Sequence, residues 1–218
     1  MEEFQLFGSW GSLAPWQEFF EGLPFWLWPS HIEEALNTVT AKSAGRDFFS
    51  PAKGIVVHHS AMVGPSSFLR PPILLGANCV VGSSCEVKGS ILMDGATVAH
   101  LNYVGDSVLG SASHLGAGAV LSNLRLDGQS ARIQLPSGPQ HTDLRKLGAF
   151  LGDGAQVGCN SVLQPGTVLG RGASVHPCLA FGDFLPADAV ASRPERPTIS
   201  VKKSTRAEKG SGPRGADR

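Results

Sequence analysis

Side chains suited to acid–base and acyl-transfer chemistry are concentrated in one part of the chain. His100 and Tyr103 lie in the stretch 99–106, Tyr103 is the only tyrosine of the protein, and Asn123 follows twenty residues later. A histidine near its ordinary pKa can take a proton from an amine at neutral pH. A fixed amide can donate a hydrogen bond to the oxygen that becomes negative during acyl transfer. By themselves these residue types do not define a site, because a surface histidine is more often only a polar residue.

A six-residue repeat must position these side chains. Neither a helix nor an alternating strand has a period of six, whereas a fixed short period is typical of a solenoid. One aliphatic residue points inward on each side of a triangular coil, and a small residue often follows it at the corner. Coils stacked at about 4.8 Å bury these aliphatics against their neighbours. We predict six or seven turns over residues 55–185, with these inward positions: Val57, Val63, Leu69, Leu75, Val81, Val87, Met93, Ala99, Leu109, Leu115, Leu121, Leu151, Val157, Leu163, Leu169, Val175 and Phe181.

Several motifs in this region resemble a known family. The sequences AHLNYVGDSVLG and HLGAGAVLSNLRLDG resemble the acetyltransferase domain of the glucosamine-1-phosphate N-acetyltransferase family. The sequence NLRLDG followed by RKLGAFLGDGAQVG is similar to archaeal-type sugar-1-phosphate acetyltransferases. Lys88 lies twelve residues before His100, and Arg70 lies thirty before it, as in the family. The resemblance covers roughly residues 57–185 and implies an all-β fold, the left-handed parallel β-helix of hexapeptide-repeat proteins.

The resemblance also implies an activity and a set of site residues. It implies an acetyl-CoA-dependent N-acetyltransferase acting on glucosamine 1-phosphate or galactosamine 1-phosphate in nucleotide-sugar biosynthesis. His100 would be the general base, and Asn123 would lie near the reacting acetyl group. The residues implied to bind the sugar phosphate are Arg70, Lys88, Tyr103 and His114. The residues considered for acetyl-CoA, which serves as co-substrate, are Cys159, Arg145 and Lys146.

The family also implies partners. Its site lies between adjacent subunits of a homotrimer, so the site residues need not meet within one chain. Nothing before residue 50 resembles a nucleotidyltransferase, and no glycine-rich phosphate loop is present, so we expect a separate nucleotidyltransferase to act with this protein. Two departures bear on the choice of sugar. His114 stands where the common bacterial form has asparagine, and Gln129 stands in a segment where lysine is usual.

The chain divides into three parts by composition. Residues 1–50 hold all four tryptophans and are predicted to form an aromatic cap, covering the first open coil or meeting a neighbouring subunit. One helix is expected there, with Ser30 as N-cap and an end near Thr40. Residues 51–192 form the β-helix, from which residues 125–146 should project as a loop. Residues 193–218 are predicted to be a flexible tail.

Composition restricts the other functions. Eighteen basic and eighteen acidic residues balance, so no footprint for nucleic acid is visible. The four cysteines form no close pair and are expected to be reduced, small residues of the interior or corners. No apolar run approaches a membrane span, the chain starts with acidic residues, and a cytoplasmic protein is expected.

Two alternatives remain at this point. A non-catalytic β-helix could serve as an oligomerisation or regulatory module that binds a sugar phosphate or nucleotide sugar. A zinc hydratase on the same type of helix needs three converging histidines with a close pair in the sequence. His100, His114, His141 and His176 lack that spacing, so we predict no metal site.

Overall fold

Short strands separated by small, turn-forming residues follow the six-residue repeat, and they wind the chain into a parallel β-helix. The computed structural model describes residues 5–41 and 44–193. Strands of one coil pair in parallel with strands of the next, which gives three flat faces. Six three-sided coils and a seventh with two sides lie between Ile55 and Ala191. The predicted left-handed parallel β-helix is confirmed.

The strands belong to three faces. Face 1 contains β2 (Ile55–His58), the second halves of β4 (Phe68–Leu75) and β6 (Glu86–Leu92), β9 (Val108–Leu109), β14 (Phe150–Leu151), β17 (Val168–Leu169) and β20 (Phe184–Leu185). Face 2 contains β3 (Met62–Val63), β5 (Val80–Val81), β7 (Thr97–Val98), β10 (His114–Leu115), β15 (Gln156–Val157), β18 (Ser174–Val175) and β21 (Val190–Ala191). Face 3 contains the first halves of β4 and β6, then β8 (Tyr103–Gly105), β11 (Val120–Leu121), β16 (Val162–Leu163) and β19 (Ala180–Phe181).

The six-residue period is not uniform, and two predicted inward positions are wrong. Val56 pairs with Leu74 eighteen residues on, whereas Leu74 pairs with Ile91 after only seventeen. The register shift falls at the corner where Gly89 alone stands opposite two prolines of the preceding coil. From there the inward side chains are Leu92 and Val98, both fully buried in the coil interior. Met93 belongs to a different cluster outside the coil, and Ala99 lies at a corner.

The N-terminal segment covers one side of the β-helix rather than its first open coil. It contains 3₁₀ turns at Gly11–Leu13 and Phe25–Leu27 and the helices α1 (Ala14–Phe20) and α2 (Trp28–Thr38). Strands of face 1 are apolar on both sides, so their outward side chains need a cover. The buried cluster between the segment and face 1 contains Leu13, Trp16, Phe20, Ile32, Leu36, Val56, Leu74, Ile91, Val108, Phe150 and Val168. The outward side chains of face 1 in this cluster are therefore covered by the N-terminal segment and are not open to another partner.

The predicted helix is present, but its start was placed wrongly. Helix α2 begins at Trp28 with Leu27 as N-cap, and Pro29 occupies the first turn, where a missing N–H costs no hydrogen bond. Ser30 lies inside the helix, and its hydroxyl donates to the Leu27 carbonyl at 2.7 Å. Helix α1 was not predicted. No described helix is long and apolar enough to cross a membrane.

The segment 125–146 is partly folded and does not simply project. It forms an antiparallel hairpin of β12 (Arg132–Leu135) and β13 (Gly138–His141), and the predicted turn residues Pro136 and Ser137 connect the strands. Strand β1 (Phe48–Ala52) makes the other antiparallel pair, with β2. Ile133 is fully buried in the cluster on the outer side of face 1. Burial of this side chain holds the hairpin against the coil. Residues 194–218, nearly all of the predicted tail, lie outside the described part of the chain.

Candidate active site

Lys88, Asp106, Asn123 and Tyr103 form a continuous hydrogen-bonded network on the outer surface of face 3. The Lys88 ammonium donates to both carboxylate oxygens of Asp106, at 2.8 and 2.9 Å. The Asn123 amide nitrogen donates to Asp106 Oδ2, and the Tyr103 hydroxyl donates to Asn123 Oδ1 at 3.4 Å. The structure thus brings together three predicted site residues around a carboxylate that sequence analysis did not assign.

Arg70 lies beside this network, in the preceding coil. Side chains alternate along a strand, so Glu86 and Lys88 both point outward from β6 while Val87 is buried inside. Arg70 pairs in register with Lys88, and its guanidinium donates to Glu86 Oε1 at 2.5 Å. That hydrogen bond is the main cause that raises the pKa of Arg70. Both predicted phosphate-binding cations are therefore already paired with carboxylates of the same face.

Gly105 gives the network its space. It lies on β8 between Tyr103 and Asp106, opposite Lys88 in the neighbouring strand. A Cβ atom at this position would lie 2.6 Å from the Asn123 amide nitrogen and 2.8 Å from the Tyr103 hydroxyl. Contacts this short do not occur, so any side chain here would displace the groups that meet over the glycine. The glycine is required for the network rather than for a turn.

The Tyr103 hydroxyl is kept protonated by its surroundings. Partial burial is the main factor that raises its pKa, and the carboxylates of Asp106 and Glu86 raise it further. Both effects disfavour the phenolate, since one removes water and the other adds negative charge nearby. Tyr103 therefore remains a hydrogen-bond donor across the neutral and mildly alkaline range.

His100 lies at the opposite edge of face 3, at the corner between β7 and β8. Its side chain is exposed, and its Nδ1 lies 3.3 Å from where a Cβ on Gly82 would be. Its backbone N–H donates to Asn102 Oδ1 at 2.9 Å. Asn102 is buried, and its amide nitrogen donates to the Gly116 carbonyl at 2.7 Å in the next coil. This side chain fixes the corner that presents His100, and sequence analysis did not single it out.

A shallow groove of about 390 Å³ occupies part of face 3 between its two edges. Leu101 and Asn102 line it at the His100 edge, and Glu86 and Tyr103 line it toward the network. The remaining lining residues are Ser66, Phe68, Ser84, Cys85 and Val120. Phe68 and Leu101 are exposed apolar side chains, at 62 and 67% of their maximal area. The groove therefore offers both apolar and polar side chains to a ligand.

The other predicted residues do not join the network within one chain. His114 is exposed on β10 and points outward from face 2. Cys159 is exposed at the corner between faces 2 and 3, with its Sγ 3.0 Å from a Cβ built on Gly116. Arg145 and Lys146 are exposed at the base of the segment 125–146, where Lys146 forms a bridge with Leu124. The residues considered for acetyl-CoA are thus divided between the two edges of face 3.

Asp106 and Glu86 are the functional candidates that sequence analysis missed. Asp106 lies within a motif that carries the family resemblance, and Glu86 lies two residues before the predicted Lys88, so their positions could have drawn attention. Their partners lie in neighbouring coils, 16 to 18 residues away in the sequence, and only the stacking of coils makes the contacts. Among the described residues, no group of three or more histidine, cysteine or acidic side chains could hold a metal ion.

Comparison with known proteins adds evidence from sequence. The family described as "GMPPB C-terminal domain" matches residues 52–135. A bifunctional sugar-1-phosphate nucleotidylyltransferase/acetyltransferase of Sulfurisphaera tokodaii is 39% identical over 114 residues, which are 52% of this chain and 28% of that protein. The bifunctional protein GlmU of Methanococcus vannielii is 36% identical over 115 residues, again 28% of its length. The chain is similar in sequence to part of each of these bifunctional proteins.

This relationship to the sugar-1-phosphate acetyltransferases confirms the recognition made from the motifs. The chain spans less than a third of the length of these two curated relatives. The described residues fold into the helical segment and the β-helix, and no part of them forms a nucleotidyltransferase domain. A putative acetyltransferase from Bacillus cereus is similar in structure with a TM-score of 0.46 at 13% identity, covering 63% of this chain and 73% of that one.

Proposed function

We propose that this protein is an acetyl-CoA-dependent N-acetyltransferase acting on an amino-sugar 1-phosphate, glucosamine 1-phosphate or galactosamine 1-phosphate, in nucleotide-sugar biosynthesis. One observation carries the proposal. Lys88, Tyr103 and Asn123, which the motif resemblance singles out, form one hydrogen-bonded network, with Arg70 beside it. A β-helix that served only as a scaffold would need none of these polar contacts. The sequence relationship to acetyltransferases supports the same reaction class.

The reaction requires a neutral amine. His100 takes a proton from the sugar ammonium or from the attacking amine, and the nitrogen lone pair forms a bond with the thioester carbonyl carbon. The carbon–sulfur bond then breaks, and the leaving thiolate takes the proton from the His100 imidazolium, so the products are the N-acetyl sugar phosphate and CoA with its thiol. Negative charge collects on the carbonyl oxygen in between, and a free N–H of Asn123 can stabilise it.

Recognition of the phosphate follows from charge. Arg70 offers a planar fork of donors and Lys88 offers a compact ammonium. Glu86 and Asp106 occupy these donors at present, so a phosphate oxygen would share or replace a carboxylate partner. The groove between Tyr103 and Asn102 supports a position for the sugar ring, because it connects the network to the His100 edge.

Assembly completes the site in this proposal. We expect a homotrimer in which faces 2 and 3 meet, because the N-terminal segment already covers face 1. His114 on face 2 of one subunit would then approach the sugar bound on face 3 of another. Cys159, Arg145 and Lys146 would contact acetyl-CoA, and a separate nucleotidyltransferase would use the product. A cytoplasmic location stays a prediction.

A non-catalytic module is the second candidate, and one observation favours it. Arg70 and Lys88 are each neutralised by a carboxylate, which weakens an anion site in the free protein. Such a module would bind a sugar phosphate or a nucleotide sugar without releasing thiol from acetyl-CoA.

Thiol release from acetyl-CoA distinguishes the two candidates. Purified protein is offered glucosamine 1-phosphate and galactosamine 1-phosphate, alongside His100→Ala and the control His59→Ala. His59 is also exposed, but it stacks on Phe49 near the first coil and away from the network. Turnover in wild type and His59→Ala that is lost in His100→Ala supports the acetyltransferase. If neither sugar gives turnover above the His100→Ala background, the proposed reaction is wrong for these substrates.

A further inference from the structure

We propose that Asp106 is a positioning residue for this reaction, which fixes the Asn123 amide and the Lys88 ammonium relative to each other before the substrates bind. The proposal rests on the acetyl transfer proposed above. Asp106 does not contact the reacting atoms in this account. It acts through the two side chains that it holds.

Both oxygens of Asp106 are occupied by these side chains. Lys88 donates to Oδ1 and Oδ2, and Asn123 donates to Oδ2. Only 19% of the Lys88 side chain and 16% of the Asp106 side chain remain exposed, so water screens this pair less than it screens a surface ion pair. The exposed pair of Arg70 and Glu86 has 44 and 36% exposure and is held less firmly.

The contact with Asp106 gives the Asn123 amide a direction. An amide nitrogen has two hydrogens, and its oxygen accepts but does not donate. One hydrogen of Asn123 goes to Asp106 while the oxygen accepts from Tyr103. Turning the amide over would set its oxygen against the Asp106 carboxylate, which only accepts hydrogen bonds, so the second N–H keeps a single direction. Donors that are oriented before reaction stabilise a developing oxyanion without reorganisation during the step.

Asp106 lies at a type of corner that recurs elsewhere in the β-helix, and this provides a matched control variant. Asp106 has a φ of +46° and lies next to Gly89, where a Cβ would meet Asp106 Oδ1 at 2.4 Å. Asp188 has a φ of +57° and lies next to Gly172 in the same way, since a Cβ on Gly172 would meet Asp188 Oδ1 at 2.4 Å. Unlike Asp106, Asp188 is exposed. Asn160 occupies the equivalent place beside Gly118, so asparagine fits this type of corner. Asp106→Asn and Asp188→Asn are therefore matched substitutions.

Steady-state kinetics test the proposal first. In Asp106→Asn, kcat for acetyl transfer should fall by about 100-fold, as expected when a catalytic group loses its fixed geometry. KM for the sugar phosphate should not rise, because both cations stay and one negative charge is removed. Asp188→Asn should behave as wild type. The proposal is overturned if kcat of the two variants differs by less than about threefold, or if only KM rises, since that would be lost ground-state binding.

Chemical labelling tests the positioning without any turnover. Reductive methylation of Lys88, followed by peptide mass spectrometry, reports how firmly its amine is held. Labelling should be several-fold faster in Asp106→Asn than in Asp188→Asn, and equal rates would overturn the proposal. If the wild type acetylates no amino sugar, the proposed function fails, whereas the labelling rates still decide whether Asp106 holds Lys88.

Discussion

The buried side chain of Asn102 accepts a hydrogen bond from the backbone N–H of His100 at 2.9 Å, and donates to the carbonyls of Gly116 and Ala119. One amide thereby joins the corner that presents His100 to the next coil. Leu101, between the two residues, has a φ of +55°, a conformation that a leucine rarely adopts without support.

Asn102→Ala should therefore lower both stability and activity. The substitution leaves the His100 N–H without a partner and removes one of the two hydrogen bonds that the Gly116 and Ala119 carbonyls each accept, which costs about 2–4 kcal/mol in the free energy of unfolding. Urea unfolding measures the stability, and thiol release under native conditions measures the activity. The comparison variant is Asn78→Ala, since Asn78 is an exposed corner residue with a φ of +56°. Equal losses in the two variants would contradict the assigned role of Asn102.

Gly105→Ala should reduce activity far more than stability. Its Cβ would come 2.6 Å from the Asn123 amide nitrogen, so Asn123 and Tyr103 must move apart, and about 100-fold in kcat should be lost. Gly182→Ala is the control, because its Cβ would meet only Gln164 at 3.3 Å. Thermal unfolding of both variants should stay within a few degrees of wild type. A fully active Gly105→Ala would show that the network is not needed for catalysis.

Phe150→Ala should loosen the N-terminal segment from the β-helix. Phe150 is fully buried and lies edge-to-face on Phe25, with ring centroids 5.0 Å apart. Loss of such a ring costs about 3–5 kcal/mol. Chemical denaturation monitored by tryptophan fluorescence measures the change, since all four tryptophans lie in the segment. Phe49→Ala removes a ring that is 39% exposed and should cost much less. Equal midpoints for the two variants would contradict this packing.

The cysteines should react in two classes. Burial raises the pKa of the Cys79 thiol from 9.0 to about 12, so only roughly one molecule in ten thousand carries its thiolate at pH 8. Cys159 and Cys178 are exposed at corners, and Cys85 is buried. A disulfide reagent at pH 8 should modify two thiols rapidly, with the remaining two modified only after unfolding. Rapid modification of Cys79 in the native protein would show that the coil interior is open.

The same shift predicts the sign of a pH effect. The unfolded thiol ionises near pH 9 while the folded thiol keeps its proton to about pH 12. The contribution of Cys79 to stability is therefore complete below pH 9 and declines as the pH rises through that interval. Cys79→Ser, compared with wild type in urea titrations at pH 8 and 10, should show a smaller loss of stability on raising the pH.

The sequence by itself determined the β-helix, its approximate length and the resemblance to sugar-1-phosphate acetyltransferases. These follow from local rules, because an aliphatic residue every six positions and small residues at corners restrict the chain to one type of coil. The sequence did not determine which residues point inward after residue 89. The single residue Gly89 at one corner moved the inward positions to Leu92 and Val98, and a strict repeat of six could not reveal this.

Only the tertiary structure decided which site residues meet. Asp106 holds Lys88 and Asn123 because stacked coils place residues that are 18 and 17 positions away in the sequence beside it on face 3. His100, from the same motif as Asp106, lies at the other edge, since strand β8 separates the two residues by the width of a face. The aromatic segment covers face 1 for a similar reason. Its apolar residues match a column of outward side chains that becomes continuous only when the coils stack.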